Sequence, residues 1–276
     1  GTGKTVSVSG ISISSALNSG ETVYGYTVNS SASANIGVIT QRALTVTAIA
    51  TASSTYGSAV SPGAVSFTNV VSGDEVTASA SLVGTSLSTG GQIKAGSYQQ
   101  RVSAIGGTDA GNYSLSSYTT PTATYTVNQL ALTGTLSAGS SVYGATLAPG
   151  TVSLSNVVSG DQVQTGSVTV NTTGNLSSGG KLKAGSYTGI QSVGSALTGA
   201  DAGNYTFGGL TGNYSVSQLT LAGTAIASSS STYGSPVSPG AVSFTNVVSG
   251  GEGTASASLV GTSLSTGGQI KAGSYQ

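Results

Sequence analysis

Residues 58–99 read SAVSPGAVSFTNVVSGDEVTASASLVGTSLSTGGQIKAGSYQ, and residues 235–276 repeat them with three differences, Ala59 against Pro236, Asp74 against Gly251 and Val76 against Gly253. The likeness extends beyond that stretch. Tyr56-Gly57 returns as Tyr143-Gly144 and Tyr233-Gly234, and the Asn-Val-Val-Ser-Gly run that starts at Asn69 returns at Asn156 and Asn246. Lys-Ala-Gly-Ser-Tyr starts at Lys94, Lys183 and Lys271, Asp-Ala-Gly-Asn-Tyr at Asp109 and Asp201, and Gln41, Gln129 and Gln218 keep the same pace. A fixed period of about 88 residues is the signature of an array. It divides the chain into 1–40, read as the C-terminal part of a preceding module, two whole modules at 41–128 and 129–217, and the N-terminal part of a further one at 218–276. Near-identity of the outer copies fits a protein whose use depends on length.

Within a repeat the local pattern is β. The runs 44–49, 64–67, 76–82 and 123–127 alternate apolar and polar residues, the period of a half-buried strand. Tyr-Gly, Ser-Pro-Gly, Ser-Gly-Asp, Thr-Gly-Gly and Ala-Gly interrupt them with turn chemistry, since glycine supplies positive φ and proline fixes it. No long stretch has a clean helical period, and the β-branched, Ser and Gly content disfavours one. A β-solenoid of the same composition would repeat every roughly 20–30 residues, and no such inner period is found. The expected fold is all-β: a tandem array of ~88-residue immunoglobulin-like β-sandwich modules, each about the size of one such domain. Tyr125-Thr126-Val127-Asn128 runs straight into Gln129-Leu130-Ala131-Leu132, and the next junction is as short. Short connections restrict bending, which predicts an elongated rod.

Composition removes several functions. Seven Lys and Arg and seven Asp and Glu make 5% charged residues, against about 25% in an ordinary domain. Nucleic acid is therefore not an expected partner, because its phosphates call for clustered cations. With no His and no Cys, the ordinary zinc, copper, haem and iron–sulfur ligand sets and the Ser-His-Asp and Cys-His nucleophile systems cannot be built. The chain is expected not to be an enzyme and to have no catalytic, cofactor-binding or metal-binding residues. No apolar run reaches the ~18 residues of a membrane-spanning helix. The 37% apolar residues together with 43 glycines are enough for a packed core without disulfides.

Each recurring motif has a chemical and a structural reading. Asp-Ala-Gly-Asn-Tyr at 109–113 and 201–205 has the pattern of a tyrosine corner, whose hydroxyl bonds back to nearby backbone; a sugar-stacking platform is the functional alternative. The Tyr56, Tyr143, Tyr233 and Tyr98, Tyr187, Tyr275 registers are expected to bury their rings, with a ladder of weak glycan contacts as the other reading. Asp74-Glu75 is the one adjacent acidic pair. It gives way to a lone Asp161 and to Gly251-Glu252 in the other copies, so it reads as a polar turn; calcium needs six to eight oxygens. Lys94 with Ser97 suggests a Ser/Lys dyad, and Lys94, Lys183 and Lys271 a Lys–Asn isopeptide crosslink, but no supporting groups surround them in sequence. Asn29, Asn112, Asn171, Asn175, Asn204 and Asn213 lie in glycosylation sequons that so Ser/Thr-rich a chain also produces by chance.

These residues resemble the YDG and MBG-type β repeats of large bacterial adhesins of the filamentous-haemagglutinin, two-partner-secretion kind. The likeness rests on the opening Gly1-to-Gly10 segment followed by Ser33-Ala34-Asn35-Ile36, on Tyr-Gly near each module start and on Asp-Ala-Gly-Asn-Tyr near its end. The first fragment departs from it, with Ser19-Gly20-Glu21-Thr22-Val23-Tyr24 where Asp-Ala-Gly-Asn-Tyr belongs, and the Tyr-Gly copies lack the Asp of Tyr-Asp-Gly. The resemblance implies a secreted protein of a bacterial cell surface or biofilm matrix, exported through an outer-membrane partner, in which such repeats form the stalk behind a distal adhesive region. Near-zero net charge removes the repulsion that separates rods, so self-association into fibres is expected. A carbohydrate-binding module, with polysaccharide as partner, and a surface-binding β array are the alternative readings.

Overall fold

The computed structural model describes every residue except Ala16, Val23, Tyr24 and Glu252. The chain is nearly all-β: many short strands in several small sheets, with two single-turn 3₁₀ segments, Ala110–Asn112 and Ala202–Asn204, as the helical content among the described residues. It divides into two compact units, Gly1–Leu130 and Ala131–Gln276. The division lies between Leu130 and Ala131, within the strand Leu130–Leu132 and two residues past the expected 128/129 boundary.

In the first unit, Lys4–Ser9 and Ser31–Gly37 form an antiparallel ribbon whose residues are almost all exposed, Val6, Val8 and Ile36 included. Of the variant stretch 19–24, Val23 and Tyr24 lie outside the described residues. The full repeat follows. Gly96–Val102 is its central strand, pairing antiparallel with Tyr125–Asn128 over its first half and with Ser81–Val83 and Tyr118–Thr119 further on. Ala52–Thr55 closes this sheet on the far side of Tyr125–Asn128, in parallel. Arg42–Leu44 pairs in parallel with Tyr113–Leu115, and Val46–Ile49 pairs antiparallel with Val65–Phe67. Leu44, Ile49, Tyr56, Tyr98, Val102, Tyr113, Tyr125 and Val127 form its core.

The second unit repeats this pairing at the repeat spacing. Gly139–Val142 lies parallel to Leu210–Ser217, which pairs antiparallel with Gly185–Val193, and Gly134–Leu136 pairs with Val152–Leu154. Its core is Leu132, Leu182, Val193, Tyr205, Phe207, Tyr214 and Val216. In the partial copy, Gly223–Ile226 pairs with Val242–Phe244, the counterpart of the Val46–Ile49 pair.

The strand expectations fare unevenly. The run 44–49 divides at Thr45, whose N–H leaves the ladder to meet the Asn69 side chain. In the run 76–82 only the end is strand, as Ser81–Val83; Thr77 makes a lone bridge to Gly106, where the chain turns at Gly107 with φ +99°. The runs 64–67 and 123–127 are found as Val65–Phe67 and Tyr125–Asn128.

Candidate functional site

Of the tyrosines expected to bury their rings, Tyr56 and Tyr98 do so, Tyr143, Tyr187 and Tyr275 are half-buried, and Tyr233 is instead 58% exposed; most of the other recurring side chains bond within their own repeat. Asn69, Asn156 and Asn246 each act as a piece of strand. The amide oxygen accepts from Thr45, Thr133 and Ala222 N–H respectively, at 2.8–2.9 Å, and the amide nitrogen donates to the carbonyls of Ala43, Ala131 and Thr220. One side chain thereby bridges the break between consecutive strands, using both halves of the amide.

Asp-Ala-Gly-Asn-Tyr forms a second tie. Its Asp-to-Asn part makes the 3₁₀ turn, and Tyr113 and Tyr205 begin the following strands with about 3% of their surface exposed. The hydroxyl does not return to local backbone as the tyrosine-corner expectation had it. Tyr113 Oη donates to Asp74 Oδ2 at 2.5 Å and accepts from Val71 N–H at 2.9 Å; Tyr205 Oη donates to Asp161 Oδ2 at 2.6 Å and accepts from Val158 N–H at 3.0 Å. Asp109 and Asp201 add a carboxylate acceptor for Glu75 N–H and Gln162 N–H, both at 2.9 Å. Asp74 and Asp161 are thus partners of a buried tyrosine, a role that sequence reading missed. The signal was their shared position; the misleading one was Gly251 in the third copy.

The local back-bond belongs to Lys-Ala-Gly-Ser-Tyr instead. Tyr98 Oη donates to Lys94 O at 2.6 Å, Tyr187 Oη to Lys183 O at 2.7 Å, and Tyr275 Oη to Lys271 O. The lysine contributes its carbonyl here. Lys183 and Lys271 are exposed and Lys94 half-buried.

A buried glutamine forms the third tie. Gln100 and Gln191 have 0% of their surface exposed. Gln100 Oε1 accepts from Gly63 N–H at 2.7 Å, while Nε2 donates to Ala50 O and Thr124 Oγ1 at 2.9 Å. Gln191 Oε1 accepts from Gly150 N–H at 2.7 Å, while Nε2 donates to Asn213 O at 2.5 Å and reaches Ser137 O at 3.4 Å. The second repeat has two more residues between its lysine and this glutamine. A bulge between Tyr187 and Gln191 absorbs them, with Gly189 at φ +69°, so that the amide arrives at the same place.

Thr108 Oγ1 donates to Glu75 Oε2 and Asp109 Oδ2, Asp74 accepts from Tyr113 Oη, and among the described residues no group of three His, Cys, Asp or Glu is placed to hold a metal ion. Glu252 lies outside the described residues. Of the sequon asparagines, Asn204 is buried, Asn213 receives Gly189 N–H, and Asn29, Asn112 and Asn171 are exposed.

One titration follows from the tyrosine tie. The hydrogen bond to Asp74, then desolvation, raises Tyr113 above the ordinary phenol value of 10. A raised folded-state pKa means that its stabilisation is complete below the unfolded value and lost as pH climbs through the folded one. Ultraviolet titration of the parent chain minus Tyr113→Phe is expected to show a phenol ionising later than a free one. Asp74→Asn is expected to bring that ionisation down.

A groove of about 600 Å³ lies in the second unit, between the full repeat and the partial one. Tyr143, Ser177, Lys183, Leu221, Val247 and Val248 are among its walls. Tyr143 Oη donates to Ser177 Oγ at 2.9 Å. Val247 and Val248 of loop 247–250 form one side of these walls, and Ser178 Oγ donates to Gly250 O at 3.1 Å. No known protein-family model, curated protein or solved structure matches the chain.

Proposed function

We propose that the chain is a stalk segment: tandem ~88-residue immunoglobulin-like β-sandwich modules joined end to end as an elongated rod. It would belong to a secreted adhesin of a bacterial surface or biofilm matrix, of the two-partner-secretion kind whose YDG and MBG-type repeats it resembles. The observation that supports this reading best is the parallel pairing of Ala52–Thr55 with Tyr125–Asn128, and of Gly139–Val142 with the end of Leu210–Ser217. When an early and the last strand of a repeat run in the same direction, the chain enters at one end of the sheet and leaves at the other. A bead threaded that way extends an array instead of folding it back. The three side-chain ties support it too, because each of the two full repeats uses its recurring Asn, Tyr–Asp and Gln side chains to hold its own strands.

Small-angle scattering at high dilution tests the reading. The radius of gyration is expected to stand clearly above the ~19 Å of a compact globule of this length, and the maximum dimension to grow by an equal step for each repeat added. A value near the globular one would overturn it. The carbohydrate-binding reading draws support from Tyr26 and Tyr233, which expose 69% and 58% of their surface; binding to a glycan array, abolished by Tyr233→Ala, would establish it.

A further inference from the structure

The turn Ser177-Ser178-Gly179-Gly180 has two glycines, and its own backbone requires only one of them. Gly180 has φ +70°, whereas Gly179 lies outside the left-handed region. The matching turn of the partial copy, Ser265-Thr266-Gly267-Gly268, repeats this division: Gly268 has φ +75°, and a Cβ built on Gly267 meets nothing within 4 Å. The turn by itself therefore has room for a side chain at its first glycine. At Gly179 that room is taken by the next copy. A Cβ there would lie 2.6 Å from Ser249 O and 3.2 Å from Gly250 C, and a Cβ on Gly250 would in turn lie 2.9 Å from Gly179 Cα.

Two more contacts fix the same loop. Val248 fills the space over Gly144, where a Cβ would come within 2.4 Å of Val248 Cγ2, and Ser178 Oγ donates to Gly250 O at 3.1 Å. Gly251 N–H donates to Val248 O at 2.8 Å, which closes the loop on itself, so it meets the full repeat already shaped. Backbone against backbone at Gly179, a branched side chain against a missing one at Gly144, and a hydroxyl on a carbonyl make the fit selective for this loop. Both halves recur in the sequence, the receiver as Tyr-Gly with Ser-Ser/Thr-Gly-Gly and the loop as Val-Val-Ser-Gly.

We propose that Gly144, Ser178 and Gly179 form a recognition site for the Val-Val-Ser-Gly loop of the following repeat, and that docking of the loop couples the stability of the repeat that supplies it to the repeat that receives it. Gly179 is the specificity-determining position, because the three atoms nearest its built Cβ all belong to loop 247–250. The proposal rests on the stalk reading for its use, since an array of repeats is held together by its nearest-neighbour interfaces.

Hydrogen exchange of the full chain, read by mass spectrometry, tests it. The strands of the partial copy among the described residues are one pair, Gly223–Ile226 with Val242–Phe244. A lone pair is marginal in water, so its amides report whether the loop is docked. Gly179→Ala is expected to speed exchange in peptides covering 222–227 and 241–245 by about tenfold or more, while the Gly185–Val193 strand of the full repeat keeps its protection. Gly267→Ala puts the same methyl in the same turn with no loop against it, and is expected to leave every rate within about twofold of the parent. Ser178→Ala removes the hydroxyl without adding bulk and is expected to act in the same direction by a few-fold; it stands in if Gly179→Ala unfolds the full repeat, with Thr266→Ala as its silent counterpart. Equal effects of Gly179→Ala and Gly267→Ala, or a partial copy whose protection neither Gly179→Ala nor Ser178→Ala changes, would overturn the proposal. Scattering by the dilute chain reports on the rod separately.

Discussion

Gly150→Ala is expected to destabilise the second unit by about 3 kcal/mol or more, among the largest effects of any single methyl in this chain. A Cβ at Gly150 would lie 1.8 Å from Ser137 O, and the same holds at Gly63 against Ala50 O and, at 1.6 Å, at Gly240 against Ala227 O. The obstacle is backbone, which no rotamer change can relieve. The residue that carries each close carbonyl is itself anchored through its own amide: Ala50 N–H donates to Ala64 O, Ser137 N–H to Thr151 O, and Ala227 N–H to Ala241 O, at 2.9–3.0 Å. Moving the Pro-Gly turn outward would also pull Gly150 N–H from Gln191 Oε1. Gly166 is the control: exposed, with no atom within 4 Å of a built Cβ and no positive φ. Gly166→Ala is expected to be neutral or to stabilise by up to about 1 kcal/mol through the unfolded chain. Urea denaturation followed by tyrosine fluorescence compares the two; equal midpoints would contradict the steric argument.

The 88-residue period, the β character and the burial of the Asp-Ala-Gly-Asn-Tyr tyrosines could be read from sequence, because each is carried by local pattern. Partners could not. Ser-Leu-Val occurs identically at 81–83 and 258–260, yet only the first is a strand, since it pairs with residues 99–101 of the central strand. A strand is a property of a pair. The same limit explains the tyrosines. Asp-x-Gly-x-Tyr suggested a local back-bond, but the acceptor carboxylate lies 39 positions earlier, while the local bond falls to the tyrosine of Lys-Ala-Gly-Ser-Tyr. Buried Gln100 and Gln191 were invisible for a further reason: the two-residue insertion put them out of step, and only the bulge restores their equivalence.

Gln191→Ala is expected to cost about 2–4 kcal/mol, since it opens a cavity at a fully buried side chain and takes this partner from the half-buried Gly150 N–H and from Asn213 O. Gln191→Glu separates the hydrogen-bond role from the packing role. It preserves volume and keeps an acceptor for Gly150 N–H, but replaces the Nε2 donor with an oxygen facing Asn213 O and Ser137 O. An ionised carboxylate there is desolvated and set against two carbonyl dipoles, so its folded-state pKa is expected to rise above the unfolded value of about 4.3. The protonated form can donate to Asn213 O and restore the tie. Stability lost by this variant at neutral pH is therefore regained as pH falls through the folded pKa, and regained fully below the unfolded one. The parent has an amide that does not titrate, so the difference in urea midpoint between parent and Gln191→Glu should narrow on acidification while that of Gln191→Ala stays constant. A gap for Gln191→Glu that is independent of pH would mean that shape, and not the donated hydrogen bond, holds the Pro-Gly turn to the central strand.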